Sequence, residues 1–169
     1  MRSIGLAAAL LMASYLPAFA QWQVGETVSC AVNGSQMAEL KRDASLPGFV
    51  LAAAIEPVAC DAENGRQALW AFTNLRAKLQ WISGNPTVFE FTGKSAQPGP
   101  SNFNGSAVLT VVLYDKDKKP ITGTSKYLKF DCGPGGNDFS HSAVFSDAAQ
   151  SAQYVAIDRF RGSGTHCPR

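Results

Sequence analysis

The chain carries 169 residues, 46% of them hydrophobic, with 15 basic and 13 acidic side chains and a formal net charge of +2. That length and apolar content exclude a disordered chain and suit one domain that buries about two thirds of its unfolded surface. The near balance of charge, with no like-charged block, argues against a nucleic-acid partner, because backbone binding needs a clustered basic face.

Residues 1–20 have the composition of a secretory signal peptide: Arg2 at the start, a nearly unbroken apolar run from Ile4 to Leu16, and Ala18-Phe19-Ala20 ahead of Gln21. The run is too short to span a bilayer, which takes about 20 helical residues, and no second one follows, so no membrane span is expected. Cleavage after Ala20 leaves 14 basic residues against 13 acidic ones. No cysteine stands at the cleavage point to take a lipid, so the expected destination is the periplasm or the medium. In either place Cys30, Cys60, Cys132 and Cys167 meet an oxidising environment and pair. Four cysteines allow three pairings. Cys30 with Cys60 and Cys132 with Cys167 is the expected one, since each bond closes a moderate loop and staples one end of the chain. No two cysteines have zinc-site spacing, and neither a metal nor a cofactor is expected.

In the N-terminal half, Thr27 to Val32 forms a candidate strand, and Phe49 to Ile55 a short apolar run that suits a buried strand or a helical turn. From Arg66 to Ser83, Leu69, Phe72, Leu75, Leu79 and Ile82 recur at helical spacing, whereas Lys78 to Trp81 alternates as a strand does. The spacing predicts a helix from Gln67 to about Arg76 and a strand from Lys78 to Ser83. Asn33-Gly34 and Asn104-Gly105 predict tight turns, because both residue types tolerate positive φ.

From Thr87 onward the pattern is β. Val88 to Lys94 predicts one strand, and Ala107 to Tyr114 a central strand covered on both faces, since Val108, Leu109, Val111, Val112 and Leu113 are so uniformly apolar. The Asp115 to Pro120 turn then leads into a hairpin partner through Lys126 to Phe130. Gly133 to Asn137 predicts a loop, and Phe139 to Phe145 and Gln153 to Arg161 two further strands. The expected fold is mainly β: an antiparallel, immunoglobulin-like sandwich over residues 78–169, preceded by a disulfide-stapled extension, residues 21–77, that holds the short helix.

Val111-Val112-Leu113-Tyr114-Asp115-Lys116-Asp117-Lys118-Lys119-Pro120-Ile121, with Gly133-Pro134-Gly135-Gly136 and Phe139 further on, resembles the FxLYD domain of bacterial envelope proteins. The resemblance covers residues 78–161 and implies a small immunoglobulin-like sandwich with no catalytic residues. Val111 stands where the name-giving Phe belongs, and Lys119 where the turn usually has Gly.

Catalytic chemistry has little to draw on. Ser140-His141-Ser142, with Asp131 and Asp138 close in sequence, is the nearest approach to a hydrolytic site, but on a strand the two serines point away from His141. Asp115 and Asp117 lack the glycine and bidentate glutamate of a calcium loop. Among the aromatic residues suited to recognition, Trp22, Trp81 and Tyr127 are the candidate binding residues. The expected function is non-catalytic binding of an envelope or secreted protein, as an inhibitor or accessory factor. A carbohydrate-binding module and a small secreted hydrolase using His141 are the alternatives.

Overall fold

The computed structural model describes residues 23–61, 68–82, 84–96, 103–132 and 136–168. The expected signal peptide and Trp22 lie outside the described residues. In chain order the strands are β1 (Thr27–Asn33), β2 (Ala38–Glu39), β3 (Lys41–Arg42), β4 (Phe49–Ile55), β5 (Val58–Asp61), β6 (Ala68–Trp81), β7 (Thr87–Ala96), β8 (Phe103–Tyr114), β9 (Pro120–Phe130), β10 (Gly136–Phe145) and β11 (Tyr154–His166), with one 3₁₀ turn at Asp147–Ser151. They form two antiparallel sheets packed against each other, the expected sandwich. The first runs β1-β11-β8-β9, with β2 also on β11. The second runs β10-β7-β6-β4-β3, with β5 also on β6.

Between the sheets lies an aromatic core. Phe72 of β6 meets Phe160 of β11 edge to face at 4.6 Å, and Trp70 lies 5.6 Å from Phe130 of β9. Phe139 of β10 closes on Phe72 and Phe91 at 6.1 and 5.7 Å. Such contacts add directional preference to the burial of rings that each remove some 150–250 Å² from water. Leu109, Val111 and Leu113 of β8 and Val155 and Ile157 of β11 supply the aliphatic remainder from the first sheet.

The predicted helix at Gln67 to Arg76 is replaced by β6, and no α-helix occurs among the described residues. A bulge explains the misleading spacing. Between Thr73 and Arg76 the pairing with β7 shifts, so that Asn74 and Leu75 lie opposite the single residue Gly93, and Asn74 takes φ of 53°. Asn is among the few residues that enter this left-handed region readily. The extra residue reverses the alternation. Trp70 and Phe72 face inward before the bulge, and Leu75, Ala77 and Leu79 after it, so the buried positions follow intervals of two, three, two and two. Phe72, Leu75 and Leu79 then fall at spacings of three and four, which is also the signature of a helix face. Gly93 is needed opposite the bulge: a Cβ there would lie 2.6 Å from Leu75 and 2.8 Å from Phe139.

Three further expectations are corrected. β8 is interior to its sheet but covered on one face alone, with Val108 40% exposed on the other. Asn104-Gly105 lies within β8 rather than in a turn, because a side chain at Gly105 would strike the Ser163 carbonyl of β11. Residues 21–77 are not an extension attached to a sandwich. β6 runs unbroken across the 77/78 boundary, while β1 pairs with β11 and β4 with β6.

Each side of the sandwich is held differently. On one side the chain crosses from the first sheet to the second between β2 and β3, and the Cys30–Cys60 disulfide joins β1 to β5 with Cα atoms 5.7 Å apart. On the other side β9 and β10 end the two sheets, and Thr124 of β9 shares a 2.7 Å hydrogen bond with His141 of β10. The second disulfide, Cys132–Cys167, ties the second residue beyond β9 to the residue following β11. This is the pairing that loop length favours.

Candidate functional site: an aromatic cleft at the mouth of the sandwich

The inward-facing row of β4 and β6 runs from Ile55 and Leu75 through Ala53 and Ala77 and through Leu51 and Leu79 to Phe49 and Trp81. Most of this row is covered by the first sheet. At its far end the row outruns that cover, leaving Phe49 36% exposed and the neighbouring Ile82 52% exposed. An open cleft of about 790 Å³ results, walled by Phe49, Trp81 and Ile82 on one side and by Asp147 and Gln150 of the 3₁₀ turn on the other.

The aromatic wall is a three-part stack. Phe49 and Trp81 have ring centroids 4.4 Å apart at an angle of 34°, and the guanidinium of Arg42, on the adjacent strand β3, lies 4.8 Å from the Phe49 centroid. β3 and β4 place Arg42 there through the pairing of Arg42 with Leu51, continued by the Asp43 amide donating to the Val50 carbonyl at 2.9 Å. Asp43 is engaged in turn by the amide and hydroxyl of Ser45, which hold its carboxyl below the ordinary carboxylate range. On the facing wall, Gln150 donates to the Thr87 hydroxyl at 3.1 Å and to Asp147 at 3.2 Å, so its amide is already oriented.

The predicted site residues are dispersed. Trp81 is central to this cleft. Tyr127 is 61% exposed but lies on the outward face of the first sheet, beside Val108 and, one strand further, Arg161. Trp70 is wholly buried. Phe49, which lines the cleft, and Arg42, which covers the Phe49 ring, are the residues that sequence reasoning missed. Phe49 stands within an apolar run that suited a buried strand, and nothing local marks Arg42.

His141 has a structural environment. Its ring bonds to Thr124, while Ser140 and Ser142 face outward, and Asp131 pairs instead with Lys129 at 3.4 Å. Burial, then the charge of Lys126, lowers its pKa, which favours the neutral ring. The Asp115 carboxylate is used within its own turn, accepting from the Asp117 and Lys119 amides at 2.8 and 2.9 Å. Among the described residues, no cluster of three or more His, Cys, Asp or Glu side chains could hold a metal, and no helix is long and apolar enough to cross a membrane.

Compared with known proteins, the chain matches no family model and no curated sequence.

Proposed function

We propose that this chain is an exported binding protein that engages a protein partner through the aromatic cleft. The observation that carries this reading is the Arg42–Phe49–Trp81 stack beside exposed Ile82. Arg and Trp are the residue types that dominate binding energy at protein interfaces, above all where a preformed aromatic surface loses little side-chain freedom on contact. Polar groups at the opposite wall, Asp147 and Gln150, supply the rim that fixes orientation.

The stack favours protein over carbohydrate. Two rings packed 4.4 Å apart form one apolar knob, whereas sugar rings along a chain need separate platforms about one ring apart. The hydrolase alternative draws no support from His141, whose ring bonds to a threonine and whose protonated form is disfavoured by burial and by the charge of Lys126. Two disulfides belong to an oxidising compartment. Periplasm or medium as the destination rests in addition on the leader composition of residues 1–20.

The test is paired affinity capture from the native extract with the wild-type chain, Trp81→Ala and Tyr127→Ala. A protein retained by wild type and Tyr127→Ala but lost with Trp81→Ala is the expected result. Recovery of polysaccharide alone, or equal retention by all three, would overturn the reading.

A further inference from the structure

We infer that β10 is a self-association edge, pairing antiparallel with β10 of a second copy to join two six-stranded sheets into one. β10 ends its sheet and pairs with β7 over ten consecutive residue pairs, Gly136 with Ala96 through Phe145 with Thr87, with no shift of register. Among the described residues, no backbone bond reaches its other edge from outside the sheet. A long, regular edge strand presents a row of amide and carbonyl groups that only another strand satisfies efficiently, and proteins normally blunt such edges with lysine, proline, bulges or brevity. Of the other sheet edges, β9 starts at Pro120 and carries Lys126 and Lys129, β3 is two residues, Lys41 and Arg42, and β1, at seven residues shorter than β10, is tied at its middle to β5 by Cys30–Cys60. β10 has neither lysine, proline nor bulge, and Val144 at its end is 67% exposed.

The occupant follows from self-complementarity. A two-fold axis normal to a continuous sheet must set inward residues against inward residues, so it passes through a residue, and the central candidates are Ser140, His141, Ser142 and Ala143. Centring on Ser140 sets Phe139 against His141 and Val144 against Gly136. Centring on His141 opposes two imidazoles and sets Val144 against Asp138. Centring on Ala143 sets His141 against Phe145. Centring on Ser142 opposes two serine hydroxyls, sets Ser140 against Val144 on the outward face, and brings Phe139 against the second copy's Phe145 on the inward face. Cross-strand hydroxyl and aromatic pairs are the favourable ones, and no like charges meet. Strand pairing alone falls short of a standard interface of roughly 1,600 Å², so association in the micromolar range is expected.

Sedimentation equilibrium of the full chain, with Ser142→Lys and Ser142→Glu, tests the inference. Ser142 is exposed and lies opposite Glu90 of β7, so both variants should keep the wild-type circular dichroism spectrum, with the melting temperature slightly higher for Ser142→Lys and slightly lower for Ser142→Glu. Wild type should dimerise, with β10 amides exchanging more slowly as concentration rises. Each variant alone sets like charges across the axis and should weaken self-association about fivefold or more. An equimolar mixture of the two variants should restore it. A wild type that stays monomeric at millimolar concentration, a dimer indifferent to both variants, or a mixture that does not reassociate would overturn the inference.

Discussion

Gly162 shows how tightly single positions are constrained. It lies in β11 against the face of Trp70, where a Cβ would stand 2.9 Å from the indole Cζ3 and 3.4 Å from the Ala107 methyl. Trp70 is wholly buried and bounded by Phe130 and Phe160, so it has no room to retreat. Gly162→Ala should therefore cost about 1–3 kcal/mol, the usual range for overpacking, read as a lower urea midpoint with unchanged m. The two histidines act at the same scale. Burial lowers the pKa of both, with Lys126 adding to the effect at His141 and Glu26 opposing it at His166. Unfolded chains then bind protons at a pH where folded ones do not. Stability is accordingly full above the ordinary imidazole value of 6.5 and is lost as pH falls below it, until the lower folded values are passed. Melting temperature should drop between pH 7 and pH 5, and His141→Gln should flatten part of that slope while leaving the neutral-pH fold intact. A melting temperature that rises on acidification would contradict the burial of these rings.

At the scale of elements, the bulge in β6 and the two disulfides determine how strands find their partners. One residue inserted at Asn74 reverses which face of β6 looks inward, so Trp70 and Leu79 both reach the core although they stand an odd number of positions apart. A second irregularity, between Ile157 and Arg159, does the same for β11: Val155 and Ile157 are buried before it and Phe160 after it. The disulfides close chain segments of 30 and 35 residues. Under the chain-entropy model each is worth about 3.5–4 kcal/mol, a large part of an ordinary domain's stability. Replacing Cys30 and Cys60 together by alanine should lower the unfolding free energy by about that amount. The loss should be visible in urea titration, since this bond alone joins β1 covalently to β5 across the gap between the sheets. Thiol titration of the native chain should find no free cysteine among the four. The Asp115 turn is a smaller device. Asp115→Ala removes an acceptor for two turn amides and should cost about 1 kcal/mol, without altering the β8–β9 pairing seen by amide exchange.

For the molecule as a whole, stability is unevenly distributed. β11 and β8 are flanked on both sides in the first sheet, and β6 and β7 in the second, with the aromatic core between them. Their amides should exchange slowest. The side closed by β9 and β10 is held by noncovalent contacts, among them the Thr124–His141 bond, and should open before the side braced by Cys30–Cys60. Hydrogen exchange on dilute protein tests this order directly, with faster exchange expected in β10 than in β6.

Much of this organisation was legible in the residues themselves. Period-two alternation marks β9 and β11, because a strand's successive side chains take opposite faces wherever the chain is regular, and runs of apolar and β-branched residues mark β4, β7 and β8. Four cysteines with two moderate spacings point to the pairing that forms. Trp81, which stands out in the sequence by its chemistry, lies in the wall of the cleft. What only the tertiary structure decided are the positions where a distant partner overrides the local pattern. The β6 bulge exists because Gly93, on another strand, makes space for Leu75, and a single-chain period cannot distinguish its phase shift from a helix face. The cleft likewise draws its walls from the start of β4, the end of β6 and the turn after β10, segments that meet because the sheets stack there. Alternation is a property of neighbours along the chain, and so it is written locally. A cleft and a bulge are properties of neighbours in space, set by which side chains must share a volume once the two sheets close.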